Sequence, residues 1–175
     1  MDSNELLLLG LLDQQDMHGY KLHELLEHQL HFISDLKRST AYRLLEDLLR
    51  RGLVERESER EGRRPERMVY HITPAGQARF QKLLREQLAS AQPVFHSGNV
   101  ALLFSDRIPR DERLALLDRR QAGVAEQRQV MASVVAAHSA GTAVRLTMEH
   151  DLAHLETEVA WLSSIITGLK EGKES

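Results

Sequence analysis

Two sets of residues in this chain have types and spacings that could do chemistry. The first is basic and polar: Lys37, Arg38, Ser39, Thr40 and Arg43 fall in one short stretch, and Arg60, Arg63, Arg64 and Arg67 in another just downstream. Guanidinium groups and hydroxyls at that density suit hydrogen bonds to phosphate oxygens and to base edges, and arginine matches the guanine edge in particular. The second is HDLAH, which sets His150 and His154 four residues apart with Asp151 beside the first. On a helix this spacing stacks two imidazoles on one turn, as in zinc proteases, where a glutamate at the position of Asp151 is the general base. Aspartate is shorter than glutamate, and no downstream third ligand stands out. Metal-dependent hydrolysis is therefore the subordinate reading, and the sequence points to no metal and no cofactor. His18, His23, His28 and His31 show no repeated ligand spacing, and no glycine-rich phosphate loop or nucleophile elbow is present. Without cysteine, disulfides and thiolate metal sites are excluded.

The basic set has to be positioned by regular elements, and the pattern supplies them. Apolar residues fill most positions from Asn4 to Asp13, which predicts a short helix buried on most sides. The segment MHGY breaks it and leads into a second helix over about residues 20–30, with Leu22, Leu25, Leu26 and Leu30 on one face. Ser39 is the expected N-cap of a third helix. Its inner side carries Ala41, Leu44, Leu45, Leu48 and Leu49, and Gly52 marks its end. A step of about 100° per residue then places Ser39, Arg43 and Arg50 on the outer side, flanked by Thr40 and Tyr42. Residues 53–59 and 68–73 predict two strands joined by the basic turn REGRRPE, in which Gly62 and Pro65 are the turn formers. Thr73-Pro74 predicts the start of a fourth helix reaching about Ala91. Three helices, a hairpin and a helix make a winged helix-turn-helix, so the expected fold class is mainly α with a small β-hairpin wing.

The segment SAQPVFHSGN is the expected boundary between a winged-helix domain, residues 1–91, and a helical domain, residues 92–175. After the apolar segment VALLF, Ile108-Pro109 with Asp111 and Glu112 starts a long helix, its acids placed where the helix dipole favours them. A last helix carries Met148, Leu152, Leu155, Val159, Leu162, Ile166 and Leu169 at alternating steps of four and three, an a/d seam. That seam can pack inside its own chain, against Leu114, Leu117, Val124, Met131 and Val135, or against a second subunit. Two helices with little else to cover them favour a homodimer. Phe95, Phe104 and Trp161 are candidates for lining a small-molecule effector pocket where the two parts meet, although each is more often simple core.

The formal net charge of −3 argues against a general polyanion binder but not against a specific one, because the positive charge is concentrated. A charge run is usually a solvated loop. Here it sits at the tip of a hairpin beside a helix with a polar outer face, the arrangement by which Ser39, Thr40 and Arg43 would read bases in a major groove of double-stranded DNA. Arg63, Arg64 and Arg67 would hold the wing to the duplex, and Lys37 and Arg38 would meet phosphates. The run ELLLLGLL lacks the features of a signal peptide, and no apolar stretch approaches the roughly 20 residues that span a bilayer. A cytoplasmic protein with no membrane partner is expected.

Residues from both parts resemble the PadR-like transcriptional regulators. LLLLGLLDQQDMHGYKLHELL is similar to that family's opening, STAYRLLEDLLRRGLVERE to its recognition helix and first wing strand, and EGRRPERMVYHITPAG to its wing and following helix. ALLFSDRIPRDERLALLDRR and HLETEVAWL resemble its longer-tailed branch. The resemblance implies a homodimeric repressor or activator on a two-fold operator, with Tyr20 near the DNA backbone and Tyr42 at the same surface. It also implies that an effector is an open matter, since some members answer phenolic acids or drugs and others show no ligand. One departure is Ala41, where the family often has a bulky hydrophobe. The remaining alternative is a winged-helix protein-interaction module that does not bind DNA.

Overall fold

The structure, a computed structural model, describes residues 3–25, 36–59, 67–91, 93, 96 and 98–172. It divides into two compact units, Met1–Gln92 and Pro93–Ser175. The first opens with α1 (Ser3–Gln14), β1 (Met17–His18) and α2 (Gly19–Glu24), followed by α3 (Arg38–Arg50). Strands β2 (Val54–Glu59) and β3 (Arg67–Ile72) form the hairpin, and α4 (Pro74–Leu88) follows it. The expected continuation of α2 through Leu26 and Leu30 lies outside the described residues.

The core of this head is built from the leucines that the periodicity marks. Leu8, Leu9 and Leu12 of α1 meet Leu22 of α2, Ala41, Leu45 and Leu48 of α3, Val54 and Tyr70 of the sheet and Leu83 of α4. Leu8, Leu9 and Leu48 are wholly removed from solvent, and each such side chain contributes roughly 1.5–3 kcal/mol of burial free energy. The sheet has the order β1-β3-β2, all antiparallel. Register runs from Val54 opposite Ile72 to Glu59 opposite Arg67, with Met17 opposite Tyr70 on the other edge. The two-residue strand β1 is an addition to the hairpin expected from sequence.

Two glycines fix the joints around α3. Gly52 takes φ 66° just past the helix; its N–H donates to the Leu49 carbonyl at 3.0 Å and that of Leu53 to the Leu48 carbonyl at 3.0 Å. This is the paired-bond C-terminal stop that glycine permits. At the start of α4, Thr73 is the N-cap: its Oγ1 accepts from Gly76 N–H at 3.0 Å and donates to the Gly52 carbonyl at 2.8 Å. A side chain at Gly76 would put its Cβ 2.0 Å from the Leu53 carbonyl oxygen. Helix end, strand start and helix start are thereby locked together.

The second unit holds α5 (Gly98–Leu103), a 3-10 turn at Ser105–Arg107, α6 (Arg110–Ala137) and α7 (Ala143–Lys170). Thr142 caps α7 by accepting from Arg145 N–H at 3.2 Å. Helices α6 and α7 pack as an antiparallel hairpin, with Leu117, Leu162 and Ile166 buried and Leu102, Leu114, Val124, Ile165 and Leu169 packed on them. Arg120 pairs with Glu158 at 2.5 Å beside this cluster, and Arg110 donates to the Leu169 and Lys170 carbonyls at the C-terminus of α7. Among the described residues no helix is long and apolar enough to cross a membrane.

Candidate nucleic-acid interface

The outward side of α3 is set by its inward side. With Ala41, Leu45 and Leu48 buried, Ser39, Arg43, Glu46 and Arg50 are exposed, and Thr40 and Tyr42 are half-buried at the margins. The helix begins two residues before the expected start, at Arg38 rather than Thr40. Lys37 occupies the cap position (φ −69°, ψ 148°) without a side-chain cap bond, and Ser39 lies inside the first turn rather than capping it. Lysine has no acceptor with which to cap, and α3 has no acidic residue in its first turn. Within its own first turn α3 thus has no carboxylate to offset the positive dipole end, which suits an incoming phosphate.

An open recess of about 280 Å³ runs along this helix, lined by Asn4, Thr40, Arg43, Leu44, Asp47 and Arg50. It brings two expected base-reading residues, Thr40 and Arg43, next to Arg50 and to Asn4 at the start of α1. No local motif links Asn4, in the first turn of α1, to a helix more than thirty residues away, so only the fold brings it to this recess.

The acids on α3 are held by arginines. Asp47 accepts from Arg50 at 2.8 Å and from Arg51 at 3.2 Å, and Glu46 accepts from Arg56 of β2 at 2.9 Å. Behind them Glu5, only 5 % exposed, accepts from Arg51 at 2.9 and 3.2 Å and from Arg79 at 2.8 Å. Burial pushes the Glu5 carboxyl up, but the hydrogen bonds and charges of Arg51 and Arg79 outweigh it and hold it below the ordinary carboxylate range. Glu5 so ties α1 to the end of α3 and to α4.

The HGY turn joins the same surface. Tyr42 donates its hydroxyl to the Gly19 carbonyl at 3.4 Å, and Tyr20, 54 % exposed, stacks on His18 with ring centroids 5.4 Å apart. Lys37 is exposed at the N-terminus of α3. The side chains of Arg38 and Arg67 lie outside the described residues, although their backbones belong to α3 and β3, and Arg63 and Arg64 lie outside them altogether. The last described pair of the hairpin, Glu59 opposite Arg67, leads directly into that segment.

The remaining expected residues fall in the second unit. Of the a/d seam, Met148, Leu162 and Ile166 are buried, Leu169 packs on the α6–α7 cluster, and Leu152, Leu155 and Val159 are half-buried. Helix α6 thus takes up much of the seam. Phe104 and Trp161 are 59 % and 38 % exposed, and Phe95 lies outside the described residues. Among the described residues no group of three or more histidines, cysteines, aspartates and glutamates is placed to hold a metal ion.

Four helices around a three-stranded antiparallel sheet, with α3 exposed on its outer side and a hairpin following it, make the fold of a winged helix-turn-helix domain. Residues 8–82 match the model of the Transcriptional regulator PadR-like family. The whole chain shares its fold with Bacillus subtilis PadR in complex with operator DNA, at 20 % identity and a TM-score of 0.79 over 96 % of this chain and 99 % of that one. The PadR-like transcriptional regulator BC1756 from Bacillus cereus is similar at 19 % identity and a TM-score of 0.71, covering 98 % and 99 %. Bacillus subtilis PadR in complex with p-coumaric acid is similar at 18 % identity and a TM-score of 0.73, covering 95 % and 94 %. No curated protein matches the chain.

Proposed function

We propose that this protein is a cytoplasmic, sequence-specific DNA-binding transcriptional repressor that occupies a two-fold operator as a homodimer. The observation that carries this reading is the outer face of α3, where Ser39 and Arg43 are exposed, Thr40 and Arg43 line the recess, and the acids nearby are held by arginines. Ser39, Thr40 and Arg43 read base edges. Lys37, Arg38 and Tyr20 meet phosphates, and Arg63, Arg64 and Arg67 hold the wing to the backbone or the minor groove. Tyr42 positions the HGY turn against α3 through its bond to Gly19. Asn4 and Arg50 extend the interface along the recess.

The dimer supplies the second half-site, one helical turn or about 34 Å away. Its contact belongs to the second unit. Because α6 covers much of the seam, the partner adds to the half-buried Leu152, Leu155 and Val159 the exposed apolar residues Val100, Leu103 and Phe104 of the α5 region. An effector site near Phe95, Phe104 and Trp161 is part of the same reading; the p-coumaric acid complex of Bacillus subtilis PadR supports a small ligand in a protein of this fold. Selection of bound sequences from random DNA with purified full-length protein tests the proposal. A two-fold symmetric motif is the expected result, and no enriched sequence would leave the protein-interaction reading in its place.

A further inference from the structure

The outer side of α7 carries a histidine pair that DNA binding does not use. Leu146, His150, His154 and Trp161 follow one another at helical spacing, turned away from the buried Leu162 and Ile166, and all four are exposed. His150 and His154 bring their Nε2 atoms to 3.2 Å, with ring centroids 4.6 Å apart and planes at 79°. Two neutral imidazoles can share one N–H···N hydrogen bond at that separation. The same separation is the bite of a chelate, since two nitrogens each about 2.05 Å from a tetrahedral ion stand roughly 3.3 Å apart. Asp151 Oδ1 lies 3.6 Å from Nδ1 of His150, on the other side of the ring from Nε2. At that distance the carboxylate makes no hydrogen bond to the ring, but its negative charge on the Nδ1 side favours hydrogen there and a free Nε2 lone pair.

We propose that His150 and His154 form a two-histidine site for a divalent late first-row transition ion, with Asp151 as a positioning carboxylate. Imidazole nitrogens suit zinc, nickel and copper, whereas magnesium and calcium demand oxygen ligands. The ion bridges one turn of α7 and takes its remaining ligands from water, so the site binds metal without being a hydrolytic centre. It stands independently of the DNA-binding reading.

Calorimetric titration of tag-free, full-length protein with Zn²⁺ tests it, with Mg²⁺ as the contrasting ion. One saturable Zn²⁺ site per chain is expected, weakened roughly tenfold or more by His150→Ala and again by His154→Ala, with Asp151→Asn causing a smaller loss. Side-chain ¹⁵N NMR should place both Nε2 atoms on the metal. Both histidines are exposed, so circular dichroism should show unchanged helix content in each variant. Zn²⁺ binding that survives in the double variant, or no saturable binding to the wild type, overturns the proposal.

Discussion

Replacing Glu5 with glutamine removes the charge from a buried carboxylate while keeping its shape. Three hydrogen bonds from two arginines reach that carboxylate, at 2.8, 2.9 and 3.2 Å. Charge-assisted bonds contribute about 1.5–3 kcal/mol each, and breaking a buried ion pair costs about 3–5 kcal/mol in total. The arginine side chains are 38 % and 32 % exposed and rehydrate when released, which lowers the expected loss for Glu5→Gln to about 2–3 kcal/mol at pH 7. The pH dependence carries the sharper test. The folded-state pKa of Glu5 lies below its unfolded value, so its stabilisation is full above about pH 4.3, the ordinary glutamate range, and is lost as pH falls through the folded value. Urea unfolding of both proteins at pH 7, 5, 4 and 3 should therefore show a gap that is constant at the first two and then closes. A gap below about 0.5 kcal/mol at pH 7, or one of constant size down to pH 3, would refute the ion-pair account.

Gly76→Ala should destabilise the head by about 3 kcal/mol in urea or thermal unfolding, because the new Cβ meets the Leu53 carbonyl at 2.0 Å and backbone must move; an unchanged midpoint would contradict that packing. Arg43→Ala should cost about 1–3 kcal/mol of operator binding, concentrated at one base position. Arg63→Ala with Arg64→Ala should instead weaken all sequences alike and lower the salt slope by about 0.9 per lost phosphate contact. An equal effect of Arg43→Ala on every sequence would make it a phosphate contact. Leu103→Glu with Phe104→Glu should give a monomer by light scattering at micromolar concentration and reduce operator affinity, and a persistent dimer would place the contact elsewhere.

What could be read in the sequence is what local rules govern. The inner face of α3, the stop at Gly52 and the cap at Thr73-Pro74 each follow from a few neighbouring residues and appear in the structure as expected. The features that escaped depend on partners remote in sequence. Strand β1 is two residues long, too short for any alternation, and exists because Met17 and His18 pair with Tyr70 and Val69. Glu5 reads as an ordinary first-turn acid and is buried only because Arg51 and Arg79 converge on it. Ser39 has the residue type of a cap, but α3 starts at Arg38 and turns it outward instead. The leucine seam of α7 is equally suited to a neighbour in the same chain or another, and the spacing alone cannot separate the two; α6 proves to cover much of it.

The placement of the acids bears directly on how a chain of net charge −3 can present a face to DNA. Glu46 and Asp47 lie on the α3 surface, where unpaired carboxylates would repel phosphates. Each is bound instead by a neighbouring arginine, Arg56 for the first and Arg50 and Arg51 for the second. As exposed ion pairs these contribute at most about 1 kcal/mol apiece to stability. Their larger effect is on the field, since a carboxylate held by a guanidinium acts as a dipole rather than a charge. Arg51 also binds the buried Glu5, so the neutralisation of Asp47 is coupled to the joint between α1 and the end of α3. Arg43 and Lys37 are then exposed cations beside the N-terminal half of α3, where its dipole end is positive. Net charge governs the encounter at long range, and this local arrangement governs the contact.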